Sequence, residues 1–275
     1  MFRGRLSTLH EARLYSIRPM NTLIVGSDRQ PILRYIPNDN FLLIDDGPIC
    51  EAVAASGRTV RVFDVENCSF NPLKDIDYRR AREFAATLFG ADPGGDTTLT
   101  VRNGKRALTK LALKGFERLD RITGDRKDPA TAEALGTIDN VLLSPVLERV
   151  LNRPSNFSPE GTIIARLDRA ALGDFDCFVL ANLLVSLYPG QVVIPDFGFY
   201  ACGFHTTLIR QRRLIAGITS FDEVPRLRNQ LLQIPDKIAS CCTPDDAAVL
   251  ARYAGIVPNS NAWNDFIETS IRPTA

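Results

Sequence analysis

Gly26, Ser27, Pro31, Ile32 and Leu33 fall at the spacing where a phosphate-binding loop would carry out its chemistry. The pattern G-x-x-x-x-G-K-[ST] points backbone N–H groups at phosphates, neutralises their charge with Lys and holds Mg²⁺ with a hydroxyl. Counted from Gly26, the second Gly is Pro31, the Lys is Ile32 and the Ser/Thr is Leu33. Pro31 has no N–H to give and fixes φ where glycine would tolerate unusual geometry. Ile32 carries no charge and Leu33 no oxygen, while Asp28 adds a negative charge that repels phosphate. The apolar run before Gly26, Leu23-Ile24-Val25, is still the strand such a loop would follow. The stretch is either a coincidental strand and turn or a nucleotide site with its chemistry removed.

Other residues offer less. Gly104-Lys105 is followed by Arg106 rather than Ser/Thr and has no strand before it, so it reads as part of a basic helix face. On that helix Arg102, Lys105, Arg106, Lys110 and Lys114 cluster, and Arg102, Arg106 and Lys110 share a stripe at helical spacing. The stripe suits either DNA phosphates or a solubilising face. Arg166-Leu167-Asp168-Arg169 stands at a strand end, the edge where parallel sheets bind ligands, and reads as a residual cleft or a local ion-pair network. Asp45-Asp46 and Asp245-Asp246 are adjacent in sequence, so their side chains diverge and form no acid/base pair. Six cysteines show no C-x-x-C spacing and only two histidines are present, which makes neither a structural zinc site nor a Cys-His pair persuasive. Adjacent Cys241-Cys242 read as small buried residues ending a strand.

Positioning these residues falls to an α/β scaffold. The 275 residues, 45% hydrophobic and 24% charged, suit one large domain or a core with a small insertion. A net charge of +1 excludes a global field that would draw the chain onto nucleic acid or membrane, so any such contact needs local patches. No apolar run approaches a membrane span, the first twenty residues lack a signal-peptide core, and a cytoplasmic or virion-associated location is expected. Buried parallel strands are predicted at 22–26, 41–45, 60–64, 162–167, 191–195, 213–218 and 236–240. Helices are predicted at 47–57, 76–90, 174–187, 204–211, 221–232 and 244–254. The expected organisation is 1–90 and 159–257 as two halves of an α/β core, 91–158 as an all-helical insertion and 258–275 as a loop-like tail. Within the insertion, helices are predicted to about 135 and over 139–152; in the tail, Trp263 and Phe266 dock onto the body.

The order TLIVG, VRVFD…FNPL, a helical stretch, VVIPDFG, RRLIAGITSFDEV and DKIASCCTPDDAAVLARYAG resembles the HerA/FtsK-like P-loop ATPases, which include type IV secretion coupling proteins and viral packaging ATPases. The resemblance covers 22–90 and 160–256, and it implies a mostly parallel RecA-like P-loop NTPase sheet flanked by helices. It places Asp196 where the family positions Mg²⁺ and Phe197 where the family carries a catalytic Glu. Ser220 stands near the sensor position, but Ser220 and Glu223 also match a capping box that starts a helix. Arg210, Arg212 and Arg213 stand where ring ATPases place an arginine finger for a neighbouring subunit, and equally at a solvated helix end. The resemblance implies a catalytically inactive subunit of a DNA-translocation, conjugative-transfer or virion-packaging assembly. Such a subunit uses no cofactor or metal and joins copies of itself or an active ATPase paralogue. The alternatives are an enzyme with a cleft rebuilt around Asp196, Arg166 and Asp168, or a purely structural module of a phage or mobile element.

Overall fold

The computed structural model describes residues 21–90, 98–202 and 205–271. In chain order its elements begin with β1 (Thr22–Val25), β2 (Phe41–Ile44), α1 (Pro48–Ala55), β3 (Arg61–Phe63), α2 (Tyr78–Phe89) and α3 (Leu99–Ala112). Next come α4 (Pro129–Leu142), α5 (Pro145–Leu151), β4 (Ile163–Ala165), α6 (Arg169–Leu172), α7 (Asp174–Leu187) and β5 (Gln191–Ile194). The chain continues through α8 (Phe197–Tyr200), α9 (His205–Arg210), β6 (Leu214–Ile218), α10 (Arg228–Leu231), β7 (Asp236–Ala239), α11 (Pro244–Tyr253) and α12 (Asn261–Ile271). Every strand pairing is parallel and helices flank the strands, which makes the fold α/β. All seven predicted strands form, each within two residues of its expected ends.

The chain divides into two compact units, one running to Val60 and resuming at Gly190, the other spanning Arg61–Pro189. The first unit holds five strands in the order β2-β5-β6-β1-β7. Strands β1, β2, β5 and β6 are buried along their whole length, as befits a parallel sheet covered on both faces. Register aligns Val25 with Ile218 and Ala239, and Val193 with both Leu43 and Ile215. Asp45, Asp196, Thr219, Gly26 and Ser240 therefore all follow strands that end at one edge of this sheet. That edge is where ligands bind in parallel α/β sheets.

The second unit pairs β3 with β4 and is otherwise helical among its described residues. Helix α3 packs against α2 and α4, and α7 is buried around its whole circumference from Asp176 to Val185. The FNPL stretch has a packing role: Phe70 lies 5.8 Å and Phe157 5.1 Å from the Phe63 ring, and Asn71 Oδ1 accepts from Leu73 N–H at 2.8 Å.

Three expectations are corrected. The tail is not a loop, because Ser260 accepts the Trp263 N–H at 3.2 Å and starts α12, whose Phe266 is buried as the helix packs on α11. The predicted helix over 221–232 is a 3-10 turn at Phe221–Glu223 and a single turn, α10, separated by Pro225, which has no N–H for a helix. Helix α4 runs through Gly136 to Leu142, and the break falls at Ser144-Pro145, where Ser144 caps α5. Among the described residues no helix is long and apolar enough to cross a membrane.

Candidate functional site at the strand ends

Gly26 leaves β1 with φ +126°, and its N–H donates to the Ile218 carbonyl at 2.9 Å. A Cβ there would lie 1.8 Å from the Ser240 carbonyl oxygen. The glycine is thus required by the close approach of the segment after β7 as well as by its backbone angle. Ser27 turns to the same segment, with its N–H donating to the Cys241 carbonyl at 3.2 Å and its hydroxyl at 3.4 Å. Asp28 is used inside the turn: Oδ1 accepts the Gln30 N–H and Oδ2 the Ser240 hydroxyl, both at 2.9 Å. After Arg29 comes a single 3-10 turn (Gln30–Arg34), with Pro31 in its first positions. Ile32 is fully buried and Leu33 half-buried, so neither presents its side chain as a solvent-facing ligand would.

Arg29 fills the space that this turn creates. Its Nη1 donates to the carbonyls of Gly26 and Ile218, the latter at 2.9 Å, and Nη2 donates to Thr219 Oγ1 at 3.1 Å. Burial works against the guanidinium charge, and the nearby carboxylates of Asp196, Glu223 and Asp28 work for it. A Cβ at Gly217 would lie 2.3 Å from the Pro195 carbonyl oxygen and 2.8 Å from Arg29 Cδ and Nε, so the glycine admits both the neighbouring backbone and the arginine stem. Across the same edge, Asp45 Oδ2 accepts the Cys50 N–H at the start of α1 at 2.7 Å. Burial, partly offset by backbone N–H bonds, raises the Asp45 pKa above the ordinary carboxylate value, and the charges of Asp46 and Asp196 push it the same way.

Asp196 is exposed directly after β5, and Phe197 beside it is fully buried with its ring centroid 5.2 Å from that of His205. Ser220 is a cap, accepting the Asp222 N–H at 3.2 Å. The expected capping box is displaced by one residue, since Glu223 Oε2 takes the Thr219 N–H at 2.9 Å rather than that of Ser220. The sharp turn out of β6 brings Thr219 within reach first. Gly26, Ser27, Asp196 and Ser220 thus share one edge with Thr219, Glu223 and Arg29, of which sequence reasoning missed Arg29. Arg29 stands three residues after Gly26, but two of its three acceptors are 189 and 190 residues away in sequence.

The other candidates lie elsewhere. Arg210 and Arg212 are exposed, whereas Arg213 donates to the Gly190 carbonyl at 2.7 Å and to Gln211 Oε1 at 3.1 Å. They precede β6, at the opposite end of that strand from Thr219. In the second unit Arg102, Arg106 and Lys110 are exposed on α3. The Gly104-Lys105 pair is interior to the same helix, with Gly104 packed against Phe89 and Glu133. Arg166 is exposed after β4, and Asp168 caps α6 by accepting the Ala170 and Ala171 N–H groups at 2.9 and 3.2 Å. All six cysteines are free thiols, with Cys242 buried and Cys241 half-buried.

No protein-family model matches this chain, and no curated protein does. Solved structures do. Plasmid coupling protein TrwB in complex with the GTP analogue GDPNP is similar at 13% identity and a TM-score of 0.57, covering 86% of this chain and 74% of that one. TrwB in complex with ADP and Mg²⁺ gives 14% identity and 0.57 over 86% and 75%. The unbound monoclinic form of the bacterial conjugative coupling protein TrwBdeltaN70 gives 12% and 0.58 over 85% and 72%. At such identities the likeness is one of fold, and at that level the resemblance read from the order of sequence motifs holds: this chain shares its fold with the plasmid coupling protein TrwB.

Proposed function

We propose that this chain is a catalytically inactive P-loop ATPase-like protein, a structural or regulatory subunit of an assembly that moves DNA, as in translocation, conjugative transfer or virion packaging. The observation that carries this reading is the content of the strand-end edge. A P-loop gathers N–H donors, a Lys and a hydroxyl around phosphate and Mg²⁺. Here the corresponding stretch buries Ile32 and places a guanidinium, Arg29, against two main-chain carbonyls. Phe197, at the position of the water-activating Glu, is turned into the core. Asp196 remains at the edge, but with neither a P-loop Lys nor a water-activating Glu beside it the edge lacks the groups that stabilise a phosphoryl-transfer transition state.

In such an assembly the chain contributes surfaces rather than turnover. Exposed Arg210 and Arg212 are the cations it offers to a neighbouring subunit, either a second copy or an active ATPase. The stripe Arg102, Arg106 and Lys110 is the face it offers to DNA phosphates. A hydrolysis assay on the purified chain with ATP and Mg²⁺ tests the proposal. It is expected to give no turnover above background, and robust turnover abolished by Asp196→Ala would overturn it. Co-purification with an ATPase that carries a complete P-loop is the expected partner result; its repeated absence, with no effect of the chain on DNA binding, would leave only a structural module.

A further inference from the structure

We propose that the strand-end edge of the first unit is a guanidinium-binding site occupied in cis by Arg29, so that the chain carries its own ligand where its fold-mates take nucleotide. The inference rests on the reading of this edge as one that uses no nucleotide phosphate. The site is built from four elements. The Gly26 and Ile218 carbonyls and Thr219 Oγ1 receive the two terminal nitrogens of Arg29. Three carboxylates, Asp196, Glu223 and Asp28, place negative charge around the cation. Two of them are oriented by other groups: Glu223 by the Thr219 N–H and Asp28 by the Gln30 N–H and the Ser240 hydroxyl. Gly217 leaves open the volume that the arginine stem crosses.

The partners select for the shape of the ligand. Two carbonyl acceptors on one nitrogen and a hydroxyl on the other match the fixed fork of a planar guanidinium, whereas an ammonium is a point donor on a flexible stem. The acceptors are Gly26, which follows β1, Ile218, the last residue of β6, and Thr219 after it, so the guanidinium bridges two strand ends and adds to the bond that the Gly26 N–H already makes to the Ile218 carbonyl. In a P-loop, bound phosphate is held by N–H donors that line the loop; here the polarity is inverted, with carbonyl oxygens and carboxylates facing a cation. A site of that polarity repels nucleotide phosphates and holds the edge in one arrangement whether or not nucleotide is present.

The test is chemical rescue of the full chain. Arg29→Ala is expected to lower Tm by roughly 5–10 °C, the loss of three hydrogen bonds from a charged donor. Methylguanidinium at low millimolar concentration is expected to recover part of that loss in Arg29→Ala and to leave the wild-type Tm unchanged; methylammonium is expected to do nothing for either. Equal rescue by the two cations, no rescue at all, or an undiminished Tm in Arg29→Ala would each overturn the proposal. Should Arg29→Ala fail to fold, Arg29→Lys keeps the charge and most of the stem without the fork. It is expected to melt well below the wild type, and a wild-type Tm would overturn the proposal. The two readings fail separately. Failed rescue with no ATP turnover removes the guanidinium site and leaves the inactive subunit, whereas ATP turnover by the wild type removes the inactive subunit whatever the rescue shows.

Discussion

Replacing Gly26 by Ala should damage the fold of the first unit directly, with no ligand involved. The added Cβ would sit 1.8 Å from the Ser240 carbonyl oxygen and 2.6 Å from its carbon. Ordinary contact begins at 3.4 Å, so β1 and the segment after β7 must part by 3.4 − 1.8 = 1.6 Å. That movement breaks the bond from Ser240 N–H to the Val25 carbonyl (2.9 Å) and the bond from Ser27 N–H to the Cys241 carbonyl (3.2 Å). Two backbone hydrogen bonds are worth about 2 kcal/mol together, and holding a non-glycine residue at φ +126° adds about 1–3 kcal/mol. The sum, about 3–5 kcal/mol, is a large part of a typical domain's stability of roughly 5–15 kcal/mol. The chain has a single tryptophan, Trp263, and it lies on α12 of this unit. Urea unfolding followed by its fluorescence therefore reads the affected unit. A midpoint for Gly26→Ala that implies a loss under about 0.5 kcal/mol would refute the reasoning, because an ordinary surface change does no more than that.

Restoring the P-loop charge with Ile32→Lys should fail as a gain of function. Ile32 is fully buried, so the variant is expected to lose about 3 kcal/mol or more through an unpaired buried cation and to show no ATP turnover; a stable or active variant would contradict this. His205 should make the fold acid-sensitive. Burial pushes its pKa down to about 3, and the Cys202 N–H donates to Nδ1 at 3.1 Å, so the folded ring stays neutral. The unfolded chain protonates this ring near pH 6.5, so stability is full above that pH and falls towards pH 3 by up to ~1.4 kcal/mol per pH unit. Urea midpoints at pH 7 and 5 check it, and equal midpoints for the wild type, or the same fall in His205→Gln, would count against it. Replacing Arg102, Arg106 and Lys110 together by Ala should weaken duplex DNA binding and flatten its dependence on log salt by roughly 2–3, at about 0.9 per phosphate contact. An unchanged slope in fluorescence anisotropy would assign the stripe to solvent.

The parts of the fold legible in sequence were those that depend on local pattern. Seven runs gave seven strands, most plainly β1, β2, β5 and β6, which are buried along their whole length and so must be largely apolar. Pro31, Ile32 and Leu33 stand out in sequence because each lacks the atom or charge that the phosphate-loop pattern asks for at its position. Helix α12 was missed because Pro258 and a polar run of Asn and Ser hide a cap at Ser260 and a short apolar face led by Phe266. The capping box at Ser220 slipped by one residue because the turn out of β6 determines which N–H Glu223 can reach. Arg29 was invisible for a different reason. Nothing in its neighbourhood along the chain distinguishes it from a surface arginine, and its role appears only when parallel pairing of β1 with β6 brings Ile218 and Thr219 to it.

Calorimetric titration of the wild-type chain with ATP and Mg²⁺ tests the central claim most directly. An edge lined by carboxylates and already holding a guanidinium predicts no saturable heat at millimolar nucleotide and no rise in Tm on adding it. Saturable binding in the micromolar range, with the stabilisation that such binding must bring, would contradict it.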